Sequence, residues 1–394
     1  MPIKDRIAAF QDEMTQWRHH LHRHPELSLE ETATSAFVQQ KLREFGVDEI
    51  ITGIAETGVV AVIHGRAAGG TIGLRADMDA LPIKEESGKP YASANPGVMH
   101  ACGHDGHTAM LLGAARDLAA TRNFAGTAYL IFQPAEEQIG GGRMMVEEGL
   151  FDRFPMERIY GLHNWPSSPE GVFQMAPGPV MAAVANIDII VTGKGAHGAQ
   201  PQRGIDPVVV AAHIVTGLQS VVSRIVDPTD KAVLSITQIA GGNAYNVIPE
   251  RVELKGTARW FTPGLGEAME AAARGIVNGI ASAFGAQVSF TFDVLYPATI
   301  NDADATERAW KAASAVATTE KLPAPSMGGE DFSFMLNVKP GSYIMLGSGK
   351  TTTDPGLHHP AYDFNDAILP LGASYWVTLV EQELPLSNQP PPSS

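Results

Sequence analysis

At 394 residues the chain is too long for one ordinary domain, so two are expected, and 44% hydrophobic residues allow a large core. Its 40 glycines and sparse charge suit an α/β enzyme with tight strand-to-helix turns. A net charge of −15 repels phosphate backbones and excludes non-specific nucleic-acid binding.

Ile7, Phe10, Met14, Trp17 and Leu21 follow helical spacing and predict a first amphipathic helix, closed by Pro25. The start Met1-Pro2-Ile3-Lys4-Asp5 lacks the apolar core of a signal peptide, which makes the cytoplasm the expected location. A second helix is predicted from about Glu30 to Phe45, ended by Gly46. Strands follow at Gly58 to His64 and Thr71 to Ala76, then a helix from Asp105 to Leu118, then strands at Thr127 to Phe132 and Arg158 to His163. That alternation predicts a sheet with helices on its faces. After a break at Pro177-Gly178-Pro179 the pattern is strand (Ala185 to Val191), helix (Pro207 to Ile225), two strands (Ala232 to Ile239, Arg251 to Trp260), helix (Glu267 to Phe284) and strand (Gln287 to Asp293). This βαββαβ order is ferredoxin-like and reads as an insertion, residues 185–296, into an outer domain of residues 1–184 and 297–394. A helix from Ala303, a strand near Ser342 to Leu346 and a last helix from Asp366 to Glu381 complete the outer domain. The Pro-rich tail from Asn388 is expected to be disordered. No apolar run reaches bilayer length, so no membrane partner is expected.

Candidate ligands gather where strands should end. Cys102, the single cysteine, excludes an internal disulfide and lies two residues from His104, so in extended backbone both side chains face one way. A thiolate with an imidazole suits a borderline-soft divalent metal. Glu136 and Glu137 follow the strand that ends in Phe132-Gln133-Pro134, and adjacent side chains point apart. One can ligate while the other serves as general base, and spacing leaves their order open. His163 ends a strand, and His358-His359 offer imidazoles in a loop. Asp77 and Asp79 share one side of a strand end and suit either a metal or the orientation of a metal-bound histidine. His19, His20, His22 and His24 read as a polar helix face. In the insertion, His197 sits in a Gly-rich loop and can donate to a developing oxyanion; Asn243, Asn246 and Arg259 follow in or beside the same unit, and Arg259 can hold a substrate carboxylate bidentately.

The segments Arg18 to Glu26, Leu74 to Pro82, Met99 to His107, Gln133 to Glu137, Gly161 to His163, Gly195 to His197, Asn246 to Pro249, Gly328 to Phe332 and Leu357 to Pro360 span nearly the whole chain. Together they resemble the M20 metallopeptidase family, above all its amidohydrolase branch of hippurate hydrolases, N-acyl-amino-acid amidohydrolases and plant auxin-conjugate hydrolases. The resemblance implies a zinc-peptidase-like catalytic domain with an inserted dimerisation or lid domain. It implies one or two divalent ions (zinc, manganese, cobalt or nickel) held by Cys102, His104, Glu137, His163 and His358, with Glu136 as base. It also implies that His197 serves substrate, often at the partner subunit's site, in a homodimer or dimer of dimers. In the wider family a histidine stands where Asp77 stands here, a departure the thiolate branch shares. The expected reaction is hydrolysis of a small N-acyl amino acid, with Asn246 and Arg259 on its carboxylate. A dipeptidase or aminopeptidase on the same scaffold is the rival, and a non-catalytic binding protein the more distant one.

Overall fold

The computed structural model describes residues 4–351 and 353–386. They form two compact units: one built from the described residues up to 180, from 300–324 and from 331 onward, the other from 181–299 and 325–330.

The first unit is organised on an eight-stranded sheet. Its strands lie side by side in the order Glu49–Ile54, Gly58–His64, Ala125–Gln133, Ala67–Asp77, Arg158–Pro169, Gly341–Gly349, Phe173–Met175 and Thr319–Lys321. The four central strands, from Ala125–Gln133 to Gly341–Gly349, run parallel. They read as near-continuous apolar runs because helices cover both faces of such a sheet. Each aliphatic side chain buried there, such as Ile72, Leu74, Leu130 or Ile344, contributes roughly 1.5–3 kcal/mol. Register sets Asp77 beside Gln133, and Arg75 beside Gly161. The residues following these strand ends therefore emerge at one edge, where parallel α/β sheets gather their ligands. Helix His104–Thr121 is buried at every position from His104 to Ala115 and packs among Gln11–Arg23, Thr32–Phe45 and Leu369–Glu383. A helix buried on every face needs that central place, and its polar first turn, His104, Asp105 and His107, faces partners from other segments.

The second unit has a four-stranded antiparallel sheet in the order Ala232–Ala240, Arg251–Trp260, Ala183–Thr192, Gln287–Tyr296. Helices Pro207–Ser220 and Leu265–Phe284 pack on it, which completes the βαββαβ pattern.

Several expectations change in detail. The first helix is two pieces, Asp5–Ala8 and Gln11–Arg23, broken at Phe10, although Ile7, Phe10, Met14, Trp17 and Leu21 all reach the core as their spacing requires. The second helix starts at Thr32, because Glu31 leaves helical geometry at φ −70°, ψ 46°. Edge strand Glu49–Ile54 is new: it buries only Ile54 and so carries little apolar signal. The expectation that no segment is apolar enough to span a bilayer is corrected. Pro207–Ile225 has the length and hydropathy for it, because scattered Thr, Gly and Gln residues hide its Val-Ala-Ile character from a search for unbroken runs. Within this unit its Val210, Ala211, Ile214 and Leu218 are buried. The tail from Asn388 lies outside the described residues.

Candidate metal centre

Four segments deliver the site in the first unit. The strand Ala67–Asp77 ends on Asp77 and leads to Asp79. The loop 99–103 brings Cys102 to the start of the buried helix. Its Gly103 has φ +92°, and a Cβ there would collide with the Asn164 amide and lie 2.7 Å from the Tyr362 hydroxyl. Only glycine fits that passage. The strand Ala125–Gln133 continues through Pro134 to Ala135, at φ +56°, and on to Glu136 and Glu137. His163 lies inside the strand Arg158–Pro169. His358, at φ +63°, donates its backbone N–H to the Ala101 carbonyl at 2.8 Å, which ties its loop to that of Cys102.

The donor atoms converge. Cys102 Sγ is 3.4 Å from His163 Nε2. Glu137 Oε1 is 3.9 Å from His104 Nε2 and 3.2 Å from His358 Nε2. Overlapping groups whose donor atoms all lie within 4.8 Å unite Cys102, His104 and His163, then Cys102, Glu137 and His358, then His104, Glu136 and Glu137. Two ligands about 2.1 Å from one tetrahedral ion stand about 3.4 Å apart, so this spacing suits a shared cation.

The rings are aimed. His104 Nδ1 contacts the Asp79 carbonyl at 2.9 Å and Asp79 Oδ1 at 3.2 Å, and His163 Nδ1 contacts the Asn164 carbonyl at 2.6 Å. Donation through Nδ1 fixes the tautomer that turns an Nε2 lone pair into the cluster. His104 Nε2 and Glu137 Oε1 are buried without a hydrogen bond, which is costly unless something else satisfies them. The electrostatics agree. Burial, then Glu137 and Glu136, push the Cys102 thiol well up, and a thiol held among carboxylates ionises only beside a cation. Burial opposes charge on His104, but Asp77, Asp79 and Glu137 overcome it and raise its pKa to about 10. The residues present fit a divalent metal.

Asp77 and Asp79 are spent on protein groups. Asp77 accepts from Arg75 Nη1 at 2.6 Å and meets His107 Nδ1 at 2.6 Å, while His107 Nε2 accepts the Asn164 backbone N–H at 2.9 Å. His107 thus has no lone pair left, although it groups with Asp77 and His104 as a metal-capable set. Asp79 Oδ2 accepts from Ser28 and from the Glu137 backbone N–H at 2.8 and 3.0 Å.

In the second unit, exposed His197 pairs with Val247 in a two-residue ladder, and Gly198 donates to the Asn246 carbonyl at 2.7 Å. His197 Nδ1 accepts the Ala199 N–H at 3.0 Å, which makes Nε2 a donor. The half-buried guanidinium of Arg259 donates to Thr257 and to the Ala258 carbonyl, and no hydrogen bond among the described residues joins it to His197 or Asn246.

The histidine-rich helix departs from the polar-face expectation. Arg18 and His22 are fully buried. His22 meets Asp105 at 2.9 Å and Glu85 at 3.2 Å, and Arg18 grips Asp366 at 2.7 and 2.9 Å. These carboxylates come from distant segments, so the helix's own sequence gives no sign of them. His20 stacks on Phe37, and no metal-capable group among the described residues includes His20 or His24. Asn164 is a hub that sequence reading overlooked: it donates to the Cys102 carbonyl at 2.7 Å and accepts from Tyr362 at 2.7 Å. A polar residue directly after a ligand at a buried strand end was the available signal. Arg75 offered a similar one, a cation inside an apolar strand two residues before Asp77.

A family model described as Peptidase family M20/M25/M40 matches residues 73–382. The chain belongs to that peptidase family. Among curated relatives, a hippurate hydrolase of Campylobacter jejuni is 39% identical, over 96% of this chain and 98% of its own length. An N-acyl-L-amino acid amidohydrolase of Geobacillus stearothermophilus is 44% identical, over 76% of this chain and 80% of its own. Among solved structures, the Bacillus subtilis YXEP protein, described as a dinuclear metal-binding peptidase of the M20 family, superposes with a TM-score of 0.84 at 36% identity. That match covers 96% of this chain and 99% of the other. The residues gathered at the parallel sheet edge, from Asp77 to His358, all lie within the matched region.

Proposed function

We propose that this M20 chain is a metal-dependent amidohydrolase that cleaves N-acyl amino acids, hippurate-like or N-acetylated, with Glu136 as general base. The observation that carries the reading is the convergence of Cys102, His104, Glu137, His163 and His358 around buried atoms that no protein group satisfies, with Glu136 beside them. The names of the Campylobacter and Geobacillus relatives support the substrate class.

In this reading the five residues hold one or two ions of zinc, manganese, cobalt or nickel. When bound, the metal supplies Lewis acidity that brings the pKa of a water towards about 7. Glu136 takes the proton of the attacking water and returns it to the leaving amine. His197, a donor through Nε2, stabilises the carbonyl oxygen as it becomes an oxyanion. Asn246 and Arg259 hold the substrate carboxylate. Asp79 and Asp77 fix the ring of His104 and the surrounding hydrogen bonds without ligating.

The chain acts as a homodimer, or a dimer of dimers, through the second unit. Val208 and Val209 on its helix, Ile225 beyond it and Ile239 on edge strand Ala232–Ala240 are exposed apolar groups that a second copy can cover. A thiolate ligand needs a reducing compartment, which supports the cytoplasm.

The deciding experiment assays benzoyl- and acetyl-amino acids beside unblocked dipeptides after reconstitution with each metal. Turnover of the acylated compounds is expected. Turnover confined to dipeptides makes the chain a dipeptidase, and turnover of neither with bound metal ends the enzymatic reading.

A further inference from the structure

We infer that Glu31 is a positioning residue that holds the turn bearing Glu136 and Glu137 in its working shape. This inference rests on the reading of Glu136 as base. Glu31 precedes helix Thr32–Phe45, yet its side chain makes no cap bond to that helix. It is fully buried and reaches across the fold. One oxygen accepts the Thr57 hydroxyl at 2.7 Å, and the other accepts the Ala135 backbone N–H at 2.9 Å.

Ala135 is where the turn needs holding. It is buried at φ +56°, a left-handed conformation that an alanine adopts only when its surroundings impose it. Its carbonyl accepts from Gly140 and Gly141, both at 3.0 Å. On the other side of Glu136, the Glu137 N–H is held by Asp79 at 3.0 Å. The amides on either side of Glu136 therefore end on two buried carboxylates from separate segments. If the Ala135 amide is released, the backbone can relax towards ordinary φ and swing the Glu136 side chain.

A carboxylate is suited to this task because it accepts on both oxygens and bonds amides more strongly when ionised. No salt bridge to Glu31 occurs among the described residues, and burial pushes its pKa up to about 7. A buried acid without a cation stabilises poorly. Its presence fits a demand for geometry better than one for stability.

The test compares Glu31→Ala, Glu31→Gln and the double variant Glu31→Ala/Ala135→Gly in the metal-reconstituted enzyme. Glu31→Ala should lower kcat about 10²-fold, the scale of a small misplacement near the chemistry. KM, metal stoichiometry and fold should stay close to wild type, and amide exchange should quicken across 133–141. Glu31→Gln keeps an acceptor oxygen for Ala135 and should stay within about three-fold of wild type. Glycine adopts the left-handed conformation without strain, so Ala135→Gly should restore much of the lost kcat. Generic structural damage would not be repaired this way. If Glu31→Ala does not fold, Glu31→Met fills the space without an acceptor and carries the same expectations. The inference is overturned if folded Glu31→Ala keeps full kcat, or if the loss is the same in all three variants. Glu136→Gln, measured alongside, separates the two readings. An inactive Glu136→Gln beside a fully active Glu31→Ala removes only the positioning role. An active Glu136→Gln removes the base, and amide exchange alone then decides whether Glu31 holds the turn.

Discussion

The two units treat their polar groups in opposite ways. In the first, His104, His107, His163, Asp77 and Asp79 are buried, and protein atoms fix each of them on the side away from the cluster. In the second, His197 and Asn246 are exposed on two segments that meet in a two-residue ladder, and Tyr245 beside Asn246 is exposed as well. A buried site is organised before any ligand arrives, and its geometry is built into the core. An exposed loop takes its function from whatever it meets. The proposed chemistry divides along this line, with metal and base in the first unit and substrate contacts in the second.

The largest expected effect strikes the buried side. Glu136→Gln should retain metal and lose about 10²–10⁴ in turnover, since it removes only the proton acceptor. Metal analysis and kinetics on one preparation check this, and near-full activity would take the base away from Glu136.

On the exposed side, His197→Ala should cost about 10²–10³ in kcat and leave metal content unchanged, as expected for a lost oxyanion donor. Mixing it with Glu136→Ala under verified subunit exchange sharpens the contrast. If His197 serves the partner's site, each mixed dimer has one intact site and regains about half of wild-type activity. No recovery would return His197 to its own chain.

A smaller effect concerns pH and the buried side alone. Burial disfavours charge on His22, but Asp105 and Glu85 raise its pKa from 6.5 to about 9. A raised histidine pKa contributes stability that is fully present below about 6.5 and lost as pH rises through about 9. Urea midpoints should therefore fall over that window, and His22→Gln should flatten the slope. An equal slope in the variant would assign the effect to other groups.

The same division explains what the sequence revealed. Part of the site was legible because strands with an apolar run are a local signal: Asp77 ends one, Glu136 and Glu137 follow another, and His163 closes the apolar part of a third, which continues to Pro169. The βαββαβ unit was legible for the same reason. Glu31, Arg18 and His22 were not, because their partners lie far along the chain and only the fold brings them together. Glu31 sits in Glu30-Glu31-Thr32, which reads as surface charge at a helix start, and nothing local marks its bond to Ala135, 104 residues away. His22 looked like part of a solvated face because one charged neighbour, Asp105, belongs to another helix. The second unit's apolar groups Val208, Val209, Ile225 and Ile239 are left exposed by the described residues, and the proposed second copy would cover them.

The claim that the buried cluster is a metal centre with a thiolate ligand is tested most directly at Cys102. Its labelling by a small thiol reagent should be measured in the metal-loaded enzyme and again after chelation. Coordination occupies the sulfur, so labelling should be blocked with metal bound and proceed once it is removed. Equal rates in the two states would contradict the assignment of Cys102 as a ligand.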